Sequence, residues 1–310
     1  MTSKQRSFYI LLLMVLSAGW GLTMPLTKIA VSTGHKHFGL IFWQMAIGVA
    51  VMTVIMLATR RQWRFDLPAL RVYLIISLLG SVLPNTISYQ VAVHLPSGVM
   101  SILISTVPMF SFPIAILRLL DRFEWRRLAG LGFGLAGVLV LIVPEADLQG
   151  SIPPFWAIVY MLSSLFYAFE GNYVAKWGTA GLDPLQVLWG ASLVGMLLAT
   201  PLVIGSGQWI SPLPPYGWPE LALVISSAVH VVVYAAFVWL ITRAGPVFTS
   251  QIAYFVTLFG VLFAWVFLGE TFGAGVWAAL GLLLVGMFLV QPRTAPPAVE
   301  PNTPMGNTGT

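Results

Sequence analysis

The chain has 310 residues, of which 58% are hydrophobic and only 8% are charged, and its mean hydropathy is +0.89. This composition excludes a soluble globular protein and indicates a chain surrounded mainly by lipid. The absence of cysteine excludes a disulfide framework, a thiolate metal site and a cysteine nucleophile. The net charge of +5 suits an anionic partner such as nucleic acid, so the positions of the charges must decide how it is interpreted.

Apolar runs bounded by charged residues or by Pro and Gly predict ten transmembrane helices, each near the length of about 20 residues that crosses a bilayer. The first run follows Lys4 and Arg6 and is too long for a cleaved signal peptide, so we interpret it as a span. The polar residues 293–310 predict a disordered cytoplasmic tail. The predicted spans are 8–31, 39–59, 69–92, 98–119, 127–143, 154–175, 184–204, 219–242, 246–268 and 273–291.

The basic residues predict the orientation of these spans. With the N-terminus in the cytoplasm, every one of the 15 Lys and Arg residues except Lys28 and Lys36 falls on the cytoplasmic side. Positive residues are retained on that side during insertion. The sequence therefore predicts a multi-pass protein of a bacterial inner membrane with both termini in the cytoplasm. This bias accounts for the net charge, so membrane lipid is an expected partner and nucleic acid is not.

An internal repeat is visible when the chain is shifted by 149 residues, because 101–142 then aligns with 250–291 without a gap. Five helices per half is an odd number, so the second half must be inverted in the membrane. The charges agree: the loop between helices 4 and 5 is rich in Arg, whereas its repeat partner carries Glu270 and no basic residue. We predict an all-α fold with a 5+5 inverted repeat, its halves being 1–145 and 146–292.

Two short motifs carry a family resemblance. Trp20-Gly21 precedes Lys28 at the end of helix 1, and Phe267-Leu-Gly-Glu270 forms the turn before a glycine-rich helix 10. With the inverted repeat, these motifs make the chain resemble the EamA-type, ten-helix branch of the drug/metabolite transporter superfamily over about residues 8–291. The resemblance implies the ten-helix fold and the transport of amino acids, metabolites or drugs, usually outward.

Polar side chains inside the spans predict where a solute binds, because a polar group that faces lipid is costly. Asn85 and Tyr89 share one face of helix 3, and His230 and Tyr234 share one face of helix 8. Interhelical hydrogen bonding without a cavity is the alternative, above all for serines. The predicted substrate-binding residues are Trp20, Asn85, Tyr89, Ser101, Tyr167, Glu170, His230, Tyr234, Gln251 and Tyr254.

The solute class is constrained by the missing basic residues. No Lys or Arg lies in the middle of a predicted span, and a phosphate group would need one. Aromatic rings, amides and one carboxylate suit a neutral, zwitterionic or cationic solute with an apolar part, such as an amino acid or an amphipathic amine. For transport by alternating access, Glu170 and His230 are the candidates for proton coupling. A passive facilitator and a purely structural His230 are the alternatives.

Other classes of function have weaker support. Ser192 and His230 loosely suggest an intramembrane serine hydrolase, but no oxyanion donors are visible beside Ser192. A channel would need a carbonyl ring or a charged constriction, and neither is apparent. Only one of the four histidines lies inside a span, so we expect no zinc site. We predict a transporter of a small molecule, not an enzyme, without metal or cofactor; the oligomeric state is open, with a monomer as the simplest case.

Small residues and prolines predict how some helices pack and bend. Glycines on helices 5 and 10 predict close contact between these two helices. Pro84 in helix 3, and Pro108 and Pro113 in helix 4, remove backbone donors inside spans. Their repeat positions in helices 8 and 9 lack proline. We therefore expect the bending to be concentrated in the first half.

Overall fold

A computed structural model describes residues 3–120, 122–142, 152–244 and 251–290, and in these ranges the chain forms helices and no strand. The all-α prediction is confirmed. The predicted tail 293–310 and the predicted boundary between the halves lie outside the described residues. The helices are α1 Ser3–Ala30, α2 His37–Ala58, α3 Leu67–Val91, α4 Ser97–Leu117, α5 Trp125–Ile142, α6 Pro154–Trp177, α7 Pro184–Gly205, α8 Trp218–Ala244, α9 Ile252–Leu268 and α10 Ala274–Val290.

Seven stretches in the described ranges are long and apolar enough to cross a membrane: most of α1 and of α8, and the whole of α2, α3, α4, α5 and α7. Helices α9 and α10 are apolar but shorter, with 17 residues each. Helix α6 has 24 residues, but Glu170, Asn172 and several aromatic rings lower its hydropathy. The helix bounds follow the predicted spans closely, and the predicted start of the ninth span at 246 lies outside the described residues.

Polar residues between the apolar runs define where helices begin. The carboxylate of Asp66 accepts a hydrogen bond from the backbone N–H of Ala69 at 2.9 Å and starts α3. Hydrogen bonding to Arg64 lowers the pKa of Asp66, so this cap is charged at neutral pH. Helix α7 begins with a capping box between Asp183 and Gln186. Each cap satisfies backbone donors that a helix start leaves free.

Helix α3 is interrupted in the middle of the membrane-spanning stretch. Residues Leu78–Val82 form a π turn directly before Pro84. Proline has no N–H and its ring collides with the carbonyl four residues earlier, so the helix widens there. The carbonyl of Pro84 accepts hydrogen bonds from the hydroxyls of Ser88 at 2.8 Å and of Ser163 on α6 at 3.0 Å. The second bond ties the irregular part of α3 to α6.

Helix α4 also contains a break, between Ile104 and Val107 and just before Pro108. The hydroxyl groups of Ser105 and Thr106 donate to backbone carbonyls three residues earlier, at 2.6 and 2.7 Å. These bonds satisfy carbonyls in the broken turn. By contrast, α8 is one continuous helix. The expected concentration of irregular helices in the first half agrees with this difference.

The helices contact one another in a regular scheme. Helix α1 packs against α8 and α9, and α6 packs against α3 and α4. Helix α2 packs against α7 and α8, and α3 packs against α7. The remaining main pairs are α4 with α9 and α5 with α10. The scheme is unchanged when each helix of α1–α5 is replaced by its counterpart in α6–α10 and the reverse. The contact of α1 with α8 then becomes that of α6 with α3, and the contact of α2 with α7 becomes itself.

Helices α5 and α10 approach closely through glycine, as predicted. A Cβ atom added to Gly130 would lie 2.8 Å from the carbonyl oxygen of Gly286, and one added to Gly286 would lie 2.7 Å from that of Gly130. Neither distance is compatible with a side chain at the present helix separation. Gly132 and Gly281, on the same two helices, face open space. Gly130 and Gly286 therefore allow the close approach of α5 and α10, whereas Gly132 and Gly281 lie outside the contact.

Candidate functional site

A cavity of about 300 Å³ lies in the middle of the helix bundle. It is lined mainly by α1, α3, α6 and α8, with smaller contributions from α2, α4, α7 and α9. The polar faces predicted on helices 1, 3, 6 and 8 therefore meet at one place. Seven of the residues predicted to bind substrate line this cavity: Trp20, Asn85, Tyr89, Tyr167, Glu170, His230 and Tyr234.

Three of the predicted residues, Ser101, Gln251 and Tyr254, are not among the residues that line this cavity. Ser101 is buried, donates a hydrogen bond to the carbonyl of Ser97 at 3.0 Å and packs against Gly260. Gln251 precedes the first turn of α9. The hydroxyl of Tyr254 is buried elsewhere and has no hydrogen-bond partner in the described part of the chain. Helical periodicity identifies which residues share a face, but it does not determine the rotation of the helix about its axis in the packed bundle.

Several cavity residues were not predicted, and Gln44 on α2 is the most polar of them. Its side-chain oxygen accepts a hydrogen bond from the hydroxyl of Tyr89 at 2.9 Å. An amide in the middle of an apolar span is itself a signal for a polar contact. It was missed because the predicted span 39–59 has no polar residue three, four or seven positions from Gln44. The other polar residues missed are Thr23, Thr27, Ser88, Tyr160 and Ser226.

Aromatic rings form one wall of the cavity. The ring of Trp20 lies 6.3 Å from those of His230 and Tyr234 and 5.2 Å from that of Phe237, measured between ring centres. The indole nitrogen of Trp20 is buried and has no hydrogen-bond partner among the described residues. A buried donor without a partner is costly. The Trp20 ring therefore borders the cavity while its N–H stays unsatisfied among the described residues.

One carboxylate also lines the cavity. Glu170 of α6 forms no hydrogen bond or ion pair with any residue in the described ranges. No Lys or Arg is among the described residues that line the cavity. A carboxylate in such surroundings is stable as an anion only with a cation beside it. The cavity thus combines one unpaired acidic group with aromatic rings and neutral amides.

Lys28 and Glu270, the charged residues of the two sequence motifs, do not line the cavity. They form hydrogen bonds with the connection between α3 and α4. The ammonium of Lys28 donates to two backbone carbonyls at the C-terminal end of α3, at 2.5 and 2.9 Å. The carboxylate of Glu270 accepts from the N–H of Ser97 at 2.7 Å, from its hydroxyl at 3.0 Å and from the N–H of Gly98 at 2.9 Å. Each charge matches the dipole of the helix end that it contacts. Both motif residues therefore stabilise one connection.

Replacing Glu270 tests this structural role. Glu270→Ala removes the acceptor for the first N–H groups of α4, and loss of such a cap costs about 1–2 kcal/mol. We expect a lower midpoint of thermal unfolding for the purified full chain in detergent. Glu270→Gln retains one acceptor oxygen and should lie between wild type and Glu270→Ala. Equal midpoints for all three proteins would contradict the capping role.

The two residues that suggested a hydrolase, Ser192 and His230, border the same small void of about 20 Å³. No hydrogen bond joins their side chains in the described structure. A serine nucleophile needs a base within hydrogen-bond reach and donors for an oxyanion. The arrangement therefore lacks the geometry that defines such a dyad.

Comparisons with known proteins point to a family of transporters. The family model described as "EamA-like transporter family" matches the chain twice, over residues 7–143 and 154–291. "Uncharacterized inner membrane transporter YedA" of Escherichia coli strain K12 is 26% identical over 281 residues, covering 87% of this chain and 86% of that protein. An "S-adenosylmethionine/S-adenosylhomocysteine transporter" of Chlamydia trachomatis is 23% identical over 286 residues, covering 87% and 85%.

Two further similarities extend over almost the whole chain. A "Probable terminal-alkyne amino-acid exporter" of Streptantibioticus cattleyicolor is 24% identical over 296 residues, which is 92% of this chain and 94% of that protein. A solved crystal structure superposes with a TM-score of 0.60 at 18% sequence identity and covers 92% of this chain and 97% of that chain. At this identity the crystal structure supports the fold alone.

Proposed function

Because the chain belongs to the EamA-like transporter family, we propose that it is a secondary transporter of small neutral, zwitterionic or cationic metabolites. Membership of this family makes the protein a membrane transporter and not an enzyme. Its apolar helices and its inner-membrane relatives make it a multi-pass protein of a bacterial inner membrane. The solute class and the mechanism are the new parts of the proposal.

The architecture in the proposal is ten transmembrane helices arranged as two inverted halves, 1–145 and 146–292. The helix contacts support it, because exchanging α1–α5 with α6–α10 reproduces the main pairs. The two matches of one family model also support it. With both termini in the cytoplasm, as the basic residues favour, equivalent helices of the two halves run in opposite directions.

The mechanism in the proposal is alternating access around the central cavity. Inverted repeats place a binding site at the interface of the two halves, and rocking of the halves exposes it to each side in turn. Both halves line the cavity, because α1 and α3 belong to the first half and α6 and α8 to the second. The interrupted helices α3 and α4 are points at which the first half can deform.

The single observation that carries the solute class is the unpaired carboxylate of Glu170 in a cavity without Lys or Arg among its described lining. An anionic solute would be repelled there and would find no cation to pair with. A solute with a positive group gains both the carboxylate and the aromatic faces. The amides of Gln44 and Asn85 can bind neutral polar groups. About 300 Å³ suits a molecule of amino-acid size.

Counterflow in proteoliposomes tests the function. The purified full chain is reconstituted, the vesicles are loaded with unlabelled L-phenylalanine or tyramine, and uptake of the same labelled solute is followed. A carrier should give a transient uptake several-fold above that of vesicles without internal solute. Asn85→Ala, which changes the cavity wall, should reduce the signal, and Ser101→Ala, outside the cavity, should not. Uptake that is independent of internal solute would favour a passive pore and contradict the proposal.

A further inference from the structure

One glycine of α3 lies in direct contact with the carboxylate of Glu170. If a Cβ atom is built on Gly80, its three nearest neighbours are the carboxyl carbon and both carboxyl oxygens of Glu170. It would collide with the carbon and with Oε1 and would lie 2.6 Å from Oε2. The carboxylate therefore packs directly on the backbone of Gly80. Any side chain at position 80 would displace it.

The backbone at this contact is irregular. Gly80 lies inside the π turn Leu78–Val82, and Pro84 follows it by four residues. Because Pro84 has no N–H, it cannot supply the donor that the carbonyl of Gly80 would receive in an α-helix. π turns inside α-helices occur frequently at functional sites. The turn thus places an unusual stretch of backbone beside an acidic side chain of the other half of the chain.

The groups around the carboxylate suit an ammonium ion. An ammonium carries three donors, and the cavity lining offers the carboxylate oxygens of Glu170 as well as hydroxyl groups of tyrosines. The titratable residues that line the cavity with Glu170 are Tyr89 of α3, Tyr160 and Tyr167 of α6, and His230 and Tyr234 of α8. None of them is Lys or Arg. No described residue of the wall therefore competes with a ligand cation for this carboxylate.

We infer that Gly80 is a positioning residue that holds the Glu170 carboxylate at the binding place of a substrate ammonium group, and that the substrates are amines. The inference rests on the proposed transport function and narrows its solute class. A neutral solute of the same shape lacks the charge-assisted hydrogen bond. The protein should therefore bind an amine more tightly than the alcohol that matches it in size.

A matched pair of probes tests the inference: tyramine and 2-(4-hydroxyphenyl)ethanol, which differ only by an ammonium in place of a hydroxyl. Their affinities for the purified full chain in detergent are measured by equilibrium binding. Wild type should prefer tyramine by about 10-fold or more, as expected for a hydrogen bond to a charged group. Gly80→Ala should lower this preference at least about 5-fold. Gly171→Ala is the matched control, because a Cβ at Gly171, next to Glu170, meets nothing within 4 Å.

A second variant tests the same position without adding volume. Glu170→Asp withdraws the carboxylate from Gly80 by one methylene and should also lower the preference for tyramine. The inference is overturned if wild type binds both probes equally, or if Gly80→Ala and Glu170→Asp keep the wild-type preference. Loss of counterflow with an intact preference for tyramine would instead contradict the transport function and leave the amine site in place.

Discussion

Glu170→Gln should abolish the accumulation of tyramine that a pH gradient drives in everted vesicles, while counterflow persists at higher solute concentrations. The unpaired carboxylate in the cavity can be neutralised either by a proton or by a substrate cation, and this competition links the two movements. Glutamine keeps the size and the hydrogen bonding of the side chain but cannot take up a proton. The mutant should therefore retain exchange with a raised KM and lose uphill transport. Accumulation and counterflow of the labelled solute are measured on the same vesicle preparation.

The companion variants separate coupling from binding. His230→Asn tests the second titratable candidate of the cavity, and the double variant tests whether the two residues replace one another. Ser101→Ala, on a helix but outside the cavity lining, is the control for expression and folding. If both single variants and the double variant accumulate solute at wild-type levels, coupling through these residues is refuted and a passive facilitator becomes the better description.

Gly286→Leu should prevent stable folding, whereas Gly281→Leu on the same helix should be tolerated. A Cβ at Gly286 would lie 2.7 Å from the carbonyl oxygen of Gly130 and 2.9 Å from the nitrogen of Gly134, so α5 and α10 would have to separate. Overpacking a close contact costs about 1–3 kcal/mol, and more when backbone atoms must move. At Gly281 a Cβ meets nothing within 4 Å. The yield of monodisperse protein and the unfolding midpoint in detergent measure the difference.

The outcome for the two leucine variants also tests the predicted direction of each helix face. Equal losses of stability at both positions would indicate that leucine disturbs α10 as a helix, and not its contact with α5. Gly130→Leu and Gly132→Leu repeat the comparison on the partner helix, because Gly130 contacts α10 and Gly132 faces open space. A selective effect at Gly130 and Gly286 would locate the close contact on both helices.

The elements of this fold follow from the sequence for a physical reason. A chain in lipid must satisfy its backbone hydrogen bonds internally, so each apolar run of sufficient length forms a helix. Charged and capping residues such as Asp66 and Asp183 then mark where a helix begins. The spacing of polar residues by three or four also determines which side chains share a face. For this reason Asn85 and Tyr89, and likewise His230 and Tyr234, could be grouped correctly before the fold was known.

The packing of the helices decided the rest. Rotation of α9 turns Tyr254 away from the cavity, and α2 contributes Gln44 through its contact with Tyr89. The contact between Gly80 and Glu170 joins residues from opposite halves of the chain. Local periodicity carries no information about such a pair, because the contact depends on the π turn before Pro84 and on how α3 and α6 approach each other. Only the tertiary structure, which sets the depth and rotation of each helix, brings the carboxylate to that glycine.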